Sequence, residues 1–158
     1  MDNDPAPELQ LVTENLPAGF DALQEEARAE GYLFVERLAG DWEARRMRFD
    51  GNGEALFAAH VAGVLAGIGG LTIEPGMPGA LRMRRFYVRA RFRRAGIGRT
   101  LATALLERAR ITGLLVSVNA RRKRSILGIA GFCARHAGRT HAPLPRILLV
   151  LRHNRNIQ

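Results

Sequence analysis

The chain has 158 residues, enough to bury a core and consistent with one domain. Apolar residues form 47% of it, which excludes disorder throughout, and no apolar run is long enough to span a bilayer. Cys133 is the single cysteine, so a disulfide framework and a cysteine-based zinc site are excluded. The acidic start differs from a secretory signal, and a cytoplasmic protein is therefore expected.

Charge is divided between the two halves of the chain. The formal net charge is +9, yet all 15 acidic residues except Glu107 lie at or before Glu74, whereas 19 of the 24 basic residues follow position 80. Such asymmetry predicts an anionic partner for the basic half, either a nucleic acid or a phosphorylated cofactor. The acidic front half would suit a cationic amine.

The front half predicts a strand, two helices and a hairpin. Helical spacing of apolar residues indicates the helices, and alternation between turn signals indicates the strands. In chain order the predicted elements are Leu9–Thr13, a helix between Pro17 and Gly31, a helix over Tyr32–Arg45, and the strands Ala55–Val61 and Val64–Ile73.

The back half continues the alternation of strands and helices. Ala80–Val88 reads as a strand with Arg82, Arg84 and Arg85 at its outer positions. An amphipathic helix follows the arginine-glycine stretch and ends at Gly113. The apolar run Leu114–Val118 predicts a strand buried on both faces, and the later run Ile147–Leu151 a last strand. The order predicts an α/β domain with a mixed sheet.

The arginine-glycine stretch lies between a strand and a helix. A helix start leaves about four N–H groups without helical partners, and it carries about half a positive charge. Gly96 and Gly98 let the bare backbone approach a ligand. A pyrophosphate cradle is therefore predicted, in which charge comes from Arg93, Arg94 and Arg99 and a hydroxyl donor from Thr100. The spacing fits neither a nucleoside-triphosphate loop nor a Rossmann turn.

The pattern of Val88 followed by Arg93-x-x-Gly96-x-Gly98 resembles the acetyl-CoA signature of the GNAT superfamily of N-acetyltransferases. The resemblance covers roughly residues 9–120, with Ala90 where many members carry proline. It implies a GNAT-like acyl-CoA N-acyltransferase fold, a mixed and mostly antiparallel sheet flanked by helices and splayed between the fourth and fifth strands. It also implies direct transfer of acetyl from acetyl-CoA (coenzyme A) to a primary amine of a small molecule or peptide.

The resemblance also implies the cofactor-binding residues. Pantetheine would lie in the splay against the backbone of the fourth strand, the N–H of Val88 would donate to the thioester oxygen, and the helix start would hold the pyrophosphate. Asn119 would approach the pantetheine arm, or it caps a turn or helix. The implied set is Tyr87, Val88, Arg93, Arg94, Ala95, Gly96, Ile97, Gly98, Arg99, Thr100 and Asn119.

Candidates for acid and base catalysis are few. Glu74 is the last carboxylate before Glu107 and is the candidate base, with capping of the following turn as the alternative. Glu54 is a weaker candidate beside a turn. His60 lies within a strand and is more typical of a packed histidine. Neither tyrosine stands on a last helix, where the family often has its acid.

The segment 121–158 departs from the family pattern. It contains no acidic residue, and the stretch Arg121–Gly138 stands where family members carry a helix with an aromatic residue and then Leu-Gly-Phe. A frameshift is one hypothesis, because a one-nucleotide shift permits family-like text. The alternatives are contacts of Arg121 and Arg122 with a CoA phosphate, a solvated basic helix, and a basic arm that binds nucleic acid on an inactive GNAT-like scaffold.

The expected organisation is a single N-acetyltransferase domain over residues 1–158, with residues 1–8 flexible and 121–158 atypical. No membrane partner and no metal are expected, and a homodimer is the candidate assembly.

Overall fold

The computed structural model describes residues 5–118 and 147–148. Asn119 and, apart from Ile147 and Leu148, the whole segment 121–158 therefore lie outside the described residues, and so do positions 149–151 of the predicted last strand. Within them the chain forms β1 (Glu8–Leu11), α1 (Phe20–Ala29), α2 (Phe34–Glu43), β2 (Ala55–Val61), β3 (Val64–Ile73), β4 (Ala80–Val88), a 3-10 turn (Ala90–Phe92), α3 (Ile97–Thr112), β5 (Leu115–Val118) and β6 (Ile147–Leu148).

The strands form one sheet in the order β1-β2-β3-β4-β5-β6. Strands β1 to β4 are antiparallel to their neighbours, whereas β4 pairs with β5 in parallel, and so does β5 with β6. The pairing of β4 with β5 runs only from Ala80 opposite Leu115 to Met83 opposite Val118. Beyond Met83, β4 continues through Val88 with no described strand on that side. The predicted mixed sheet, with its splay between the fourth and fifth strands, is confirmed.

Helices cover both faces of the sheet. Leu23 of α1 and Leu38 of α2 pack with Ile68 of β3 on one face. On the other face, Leu101 and Leu105 of α3 pack against apolar side chains of β2, β3 and β4. Each of these five side chains is fully buried, which is worth about 1.5–3 kcal/mol apiece. The site described below lies where α3 begins.

The first helix ends before Gly31, as predicted, but α2 begins later than predicted. Gly31 has a φ of 83°, and the Tyr32 N–H donates to the carbonyl of Ala27 at 2.7 Å. This is the Schellman arrangement that ends a helix. Tyr32 consequently closes α1, and α2 starts only at Phe34. The second helix also ends before Arg45, whose φ is 56°.

The prediction that Arg85 points outward is wrong. A bulge in β4 shifts the register opposite β3 between Ile68 and Gly70, and Arg85 has a φ of 62°. The bulge turns its side chain towards α2, where it donates to the carbonyl of Phe34 at 3.1 Å and to Asp41 at 3.4 Å. The side chain is only 9% exposed. A bulge of this kind re-aims a side chain without ending the strand.

Candidate functional site

The turn after β4 leads directly into α3. Arg94 and Gly96 both have left-handed backbones, with φ values of 69° and 79°. The first helical hydrogen bond of α3 runs from the Thr100 N–H to the Gly96 carbonyl at 3.0 Å. The N–H groups of Ile97 and Gly98 precede that bond and have no acceptor within the helix. Amide donors and the positive end of the helix dipole are thus concentrated at this turn.

A cleft of about 420 Å³ opens at this helix start. Seven of the predicted cofactor-binding residues line it, and Phe92 completes the lining. The seven are Val88, Arg93, Arg94, Gly96, Ile97, Gly98 and Arg99. Ala95 is exposed in the same turn. Most residues of the predicted cradle therefore lie together around one cleft.

The structure differs from the prediction at Thr100. Its hydroxyl donates to the Gly96 carbonyl at 3.2 Å, and its N–H donates to the same oxygen. Both donors are used inside the first turn of α3, because a threonine hydroxyl readily bonds back to the carbonyl four residues earlier. The hydroxyl of Thr100, predicted as a donor to the cradle, is therefore bonded within α3.

Gly98 leaves space that the fold does not need. A Cβ at this position would lie 3.8 Å from Cγ2 of Val88, an ordinary contact. The backbone here is not left-handed either, so alanine would fit. Glycine in a helix costs about 1 kcal/mol relative to alanine. The bare backbone at Gly98 is thus unexplained by packing, and it suits the close approach of a diphosphate.

The backbone of Val88 faces the splay. The N–H of Arg89 donates to the Ala66 carbonyl of β3 at 2.9 Å. Because backbone groups alternate along an antiparallel strand, the N–H and carbonyl of Val88 point the other way, towards the gap beyond β5. The carbonyl accepts a hydrogen bond from Nε of Arg93 at 3.0 Å. The N–H is the group that faces the gap.

The same alternation corrects the expectation for Tyr87. Its backbone pairs with Ile68 of β3, and its side chain is buried on the face covered by α1 and α2. The hydroxyl donates to Oε1 of Glu30 at 2.6 Å. Burial and the neighbouring Glu30 raise the pKa of Tyr87, so this hydroxyl stays protonated. Tyr87 supports the site from behind and does not form its wall.

Arg93 also has a different role from the one predicted. Besides holding the carbonyl of Val88, its Nη2 donates to Oε1 of Glu30 at 2.6 Å. The hydrogen bonds from Arg93 and Tyr87 lower the pKa of Glu30. The guanidinium of Arg93 is therefore directed to α1, and the turn is fastened there.

Arg89, at the start of the turn after β4, also connects this turn to α1. Its Nε and Nη2 both donate to Oε1 of Glu26, at 3.0 and 2.6 Å, and Nη1 donates to the carbonyl of Leu65 at 3.2 Å. The hydrogen bond from Arg89 lowers the pKa of Glu26. Sequence analysis missed both carboxylates, although Glu26 and Glu30 are four residues apart and so share a face of α1.

These pairs explain much of the charge asymmetry. Two more carboxylates of the front half pair with arginines of β4, Asp41 with Arg85 and Glu74 with Arg82. Acidic residues of the front half thus neutralise basic residues of the back half within one molecule. The asymmetry by itself is therefore weaker evidence for an anionic partner than the sequence suggested.

Glu74 lies far from the cleft. It is 7% exposed, accepts a hydrogen bond from Oγ of the buried Ser117 at 3.0 Å, and lies 3.7 Å from Nε of Arg82. Arg82 and Ser117 are register partners at the closed end of the splay. Val88 lies six positions after Arg82 in β4, which corresponds to about 20 Å of extended strand. The structure therefore does not bring Glu74 to Val88.

The two weaker candidates are also apart from the cleft. The carboxylate of Glu54 accepts hydrogen bonds from the N–H groups of Gly51 at 3.1 Å and Ile73 at 2.9 Å. It stabilises the turn before β2. His60 is partly buried in β2, opposite Leu65 and beside a bulge in the strand. Neither residue lines the cleft.

The family model of the GNAT acetyltransferases matches residues 19–126, more than half of the chain. The chain belongs to the GNAT acetyltransferase family. The match includes the splayed strands and the glycine turn, and it gives no support to the alternative of a nucleic-acid-binding scaffold. No curated protein matches the sequence. No helix in the segments 5–118 and 147–148 is long and apolar enough to cross a bilayer.

Solved structures share the GNAT fold at low sequence identity. A protein from Exiguobacterium sp. 255-15 described as an acetyltransferase has a TM-score of 0.71 at 22% identity, covering 80% of this chain and 85% of that chain. An acetyltransferase from Streptococcus agalactiae 2603 has 0.58 at 16%, covering 90% and 91%. Glucosamine-6-phosphate N-acetyltransferase from Arabidopsis thaliana has 0.55 at 14%, covering 89% and 95%. These similarities concern the fold.

Proposed function

We propose that this GNAT protein is an acetyl-CoA-dependent N-acetyltransferase that acts on a primary amine of a small molecule or peptide by direct attack. One observation carries the proposal: the start of α3, where helical amide donors are unpaired, and Val88 at the end of β4 line the same cleft. Such a site can hold a diphosphate at one end and an acyl oxygen at the other. A single cytoplasmic domain, and assembly as a homodimer, are part of the same proposal.

The residues present fit coenzyme A. The N–H groups of Gly96, Ile97 and Gly98 would hold the diphosphate, because Gly98 leaves the backbone accessible and the helix dipole favours negative charge. Arg94 and Arg99 are exposed beside them and add positive potential. When bound, acetyl-CoA supplies an acetyl thioester, which is the group to be transferred.

Val88 contributes through its backbone. Its N–H points into the gap and can donate to the acyl oxygen as negative charge develops there. Arg93 fixes the carbonyl of the same residue at 3.0 Å, so the strand end is already oriented. The described residues that line the cleft include no carboxylate or imidazole. The proton of the amine would therefore leave through water or through a group outside this lining.

The proposal is tested by the stabilisation that acetyl-CoA confers on the full chain. A ligand that binds only the folded state raises the free energy of unfolding by about 2.7 kcal/mol at 100 times its Kd. We compare Gly96→Asp with Gly96→Asn, because both side chains tolerate the left-handed backbone and differ mainly in charge. The aspartate variant should lose the acetyl-CoA shift, and the asparagine variant should keep part of it.

Turnover is then measured by release of thiol from acetyl-CoA with a panel of amines. A wild-type protein without any shift at millimolar acetyl-CoA would contradict the proposal. Equal acetyl-CoA shifts in the two Gly96 variants would place the diphosphate elsewhere.

A further inference from the structure

Arg84 occupies the position where β4 and β5 part. Met83 is the last residue of β4 that pairs with β5, and Arg84 follows it. Met83 packs on the α3 face of the sheet, so Arg84 points to the opposite face, the one covered by α1 and α2. Arg84 therefore lies beside the splay in β4, with its side chain on the face opposite to α3.

Arg84 is partly buried, yet its guanidinium makes no hydrogen bond or ion pair with any described residue. Desolvation and the neighbouring charge of Arg82 lower its pKa. Burying a charge without a partner is unfavourable, and such a group is usually paired. The guanidinium of Arg84 thus lies where β4 and β5 part, and no described carboxylate pairs with it.

The two carboxylates that act electrostatically on Arg84, Asp41 and Glu74, already have other partners. Glu74 accepts from Ser117 and is paired with Arg82. Asp41 is shared by Arg85 and Arg46, at 3.4 and 3.1 Å. Neither carboxylate is left to neutralise a further guanidinium.

The rest of the sequence offers little negative charge. The residues after Glu107 contain no aspartate or glutamate, so the segment between β5 and β6 brings no acidic side chain to Arg84. Before β1, only Asp2 and Asp4 precede the described residues. An anion that neutralises Arg84 is therefore more readily supplied by a ligand than by the protein.

We propose that the amine acceptor carries an anionic group, a carboxylate or a phosphate monoester, that pairs with Arg84. This inference rests on the proposed acetyl transfer at Val88. Val88 lies four positions after Arg84 in β4, which sets an upper limit of about 13 Å between their backbones. The acceptor is accordingly a compact molecule with its amine and its anion at opposite ends. The cationic amine that the acidic front half seemed to suit is replaced by a zwitterion or an amino phosphate.

The test uses pairs of amines that differ only in the anion. Glucosamine 6-phosphate is compared with glucosamine, and an amino acid with its amide, for binding to the full chain saturated with coenzyme A and for turnover with acetyl-CoA. The two pairs distinguish a phosphate from a carboxylate. In at least one pair the anionic member should bind about tenfold or more tightly, as expected for a charge-assisted hydrogen bond.

Three variants assign the preference to Arg84. Arg84→Gln should reduce the preference to near unity, Arg84→Lys should retain part of it, and Arg110→Gln, at the far end of α3, should leave it unchanged. Arg84→Gln should also keep or raise the melting temperature, because it removes a desolvated charge with no described partner. A residue that serves only the fold would lower it.

The inference is overturned if neither pair shows a preference for the anionic member, or if the preference persists in Arg84→Gln. Binding of acetyl-CoA is measured separately on the same protein. Its absence, together with an Arg84-dependent anion preference, would contradict the acetyltransferase proposal and leave the anion site standing.

Discussion

Nη2 of Arg93 donates to Oε1 of Glu30 at 2.6 Å, although 63 residues separate the two. The same guanidinium holds the carbonyl of Val88 at 3.0 Å. One arginine of the turn before α3 thus connects the end of β4 to the end of α1. Arg89 makes the parallel connection to Glu26 one turn earlier on the helix. Positions that a sequence motif assigns to ligand binding can instead hold the turn in place.

The Glu30 pairing predicts acid-sensitive stability. The folded state lowers the pKa of Glu30, so its stabilising contribution is present above the unfolded value of 4.5 and is lost as the pH falls through the folded value. Glu30→Gln should therefore be less stable than the wild type at pH 7, and the difference should shrink as the pH falls below 4.5. Urea unfolding across this range measures the difference. Glu25→Gln, on the exposed side of α1, is the control, and a constant offset at all pH values would contradict the prediction.

Arg89→Met should destabilise the fold strongly. The side chain is 11% exposed and its loss leaves Glu26 and the carbonyl of Leu65 without their donor. We expect a loss of about 1–3 kcal/mol in the free energy of unfolding, below the usual value for a fully buried pair because Glu26 is 36% exposed. Arg28→Met, which removes an exposed pair with Glu36, should cost less. Equal losses in the two variants would refute the assignment.

Glu74→Gln should affect stability and spare the chemistry. The carboxylate is buried against Ser117 and Arg82, so its neutralisation should cost about 1–3 kcal/mol of unfolding free energy. Its distance from Val88 predicts that the pH profile of kcat/KM stays unchanged. Ser117→Ala should show the same pattern. If kcat falls and the acidic limb of the profile disappears, Glu74 is the base after all.

Gly98→Glu should change stability and cofactor binding in opposite directions. The change removes a helical glycine and places a negative charge in the first turn of α3, which together favour the helix by about 1–2 kcal/mol. The melting temperature without ligand should rise, and the shift caused by acetyl-CoA should disappear because the new carboxylate meets the diphosphate. Gly98→Ala is the matched uncharged control: it should also gain stability, and it should keep more of the acetyl-CoA shift than Gly98→Glu, because it adds only a methyl group beside the diphosphate. Retained binding in Gly98→Glu would remove Gly98 from the cradle.

Local patterns predicted most of the sheet. The bounds of β2, β3 and β4 agree with the prediction because each strand ends at a glycine-containing turn or at the arginine stretch. The glycine spacing likewise identified the cleft at the start of α3. The Schellman motif at Tyr32 was missed because it depends on backbone bonds that apolar spacing does not reveal.

Contacts between distant residues could not be read from the sequence. The pairing of Glu26 with Arg89 and of Glu30 with Arg93 follows from the packing of α1 on the sheet. The composition shows the imbalance of charge between the two halves, but it does not show which residues pair. The bulge at Arg85 turns this side chain onto α2, where it is buried, and strand pattern alone does not mark the bulge. Arg84 became a candidate only once its neighbours were seen to be paired elsewhere.

Arg89 and Arg93 connect the turn before α3 to α1. A helix near the start of the chain therefore supports a site that is formed by residues much later in the sequence. Occupation of that turn and docking of the helix are then linked equilibria, each shifting the other by the same free energy. Ligand at the turn should slow hydrogen exchange at the amides of α1, and a truncation that removes this helix should abolish binding without altering any group that touches the ligand.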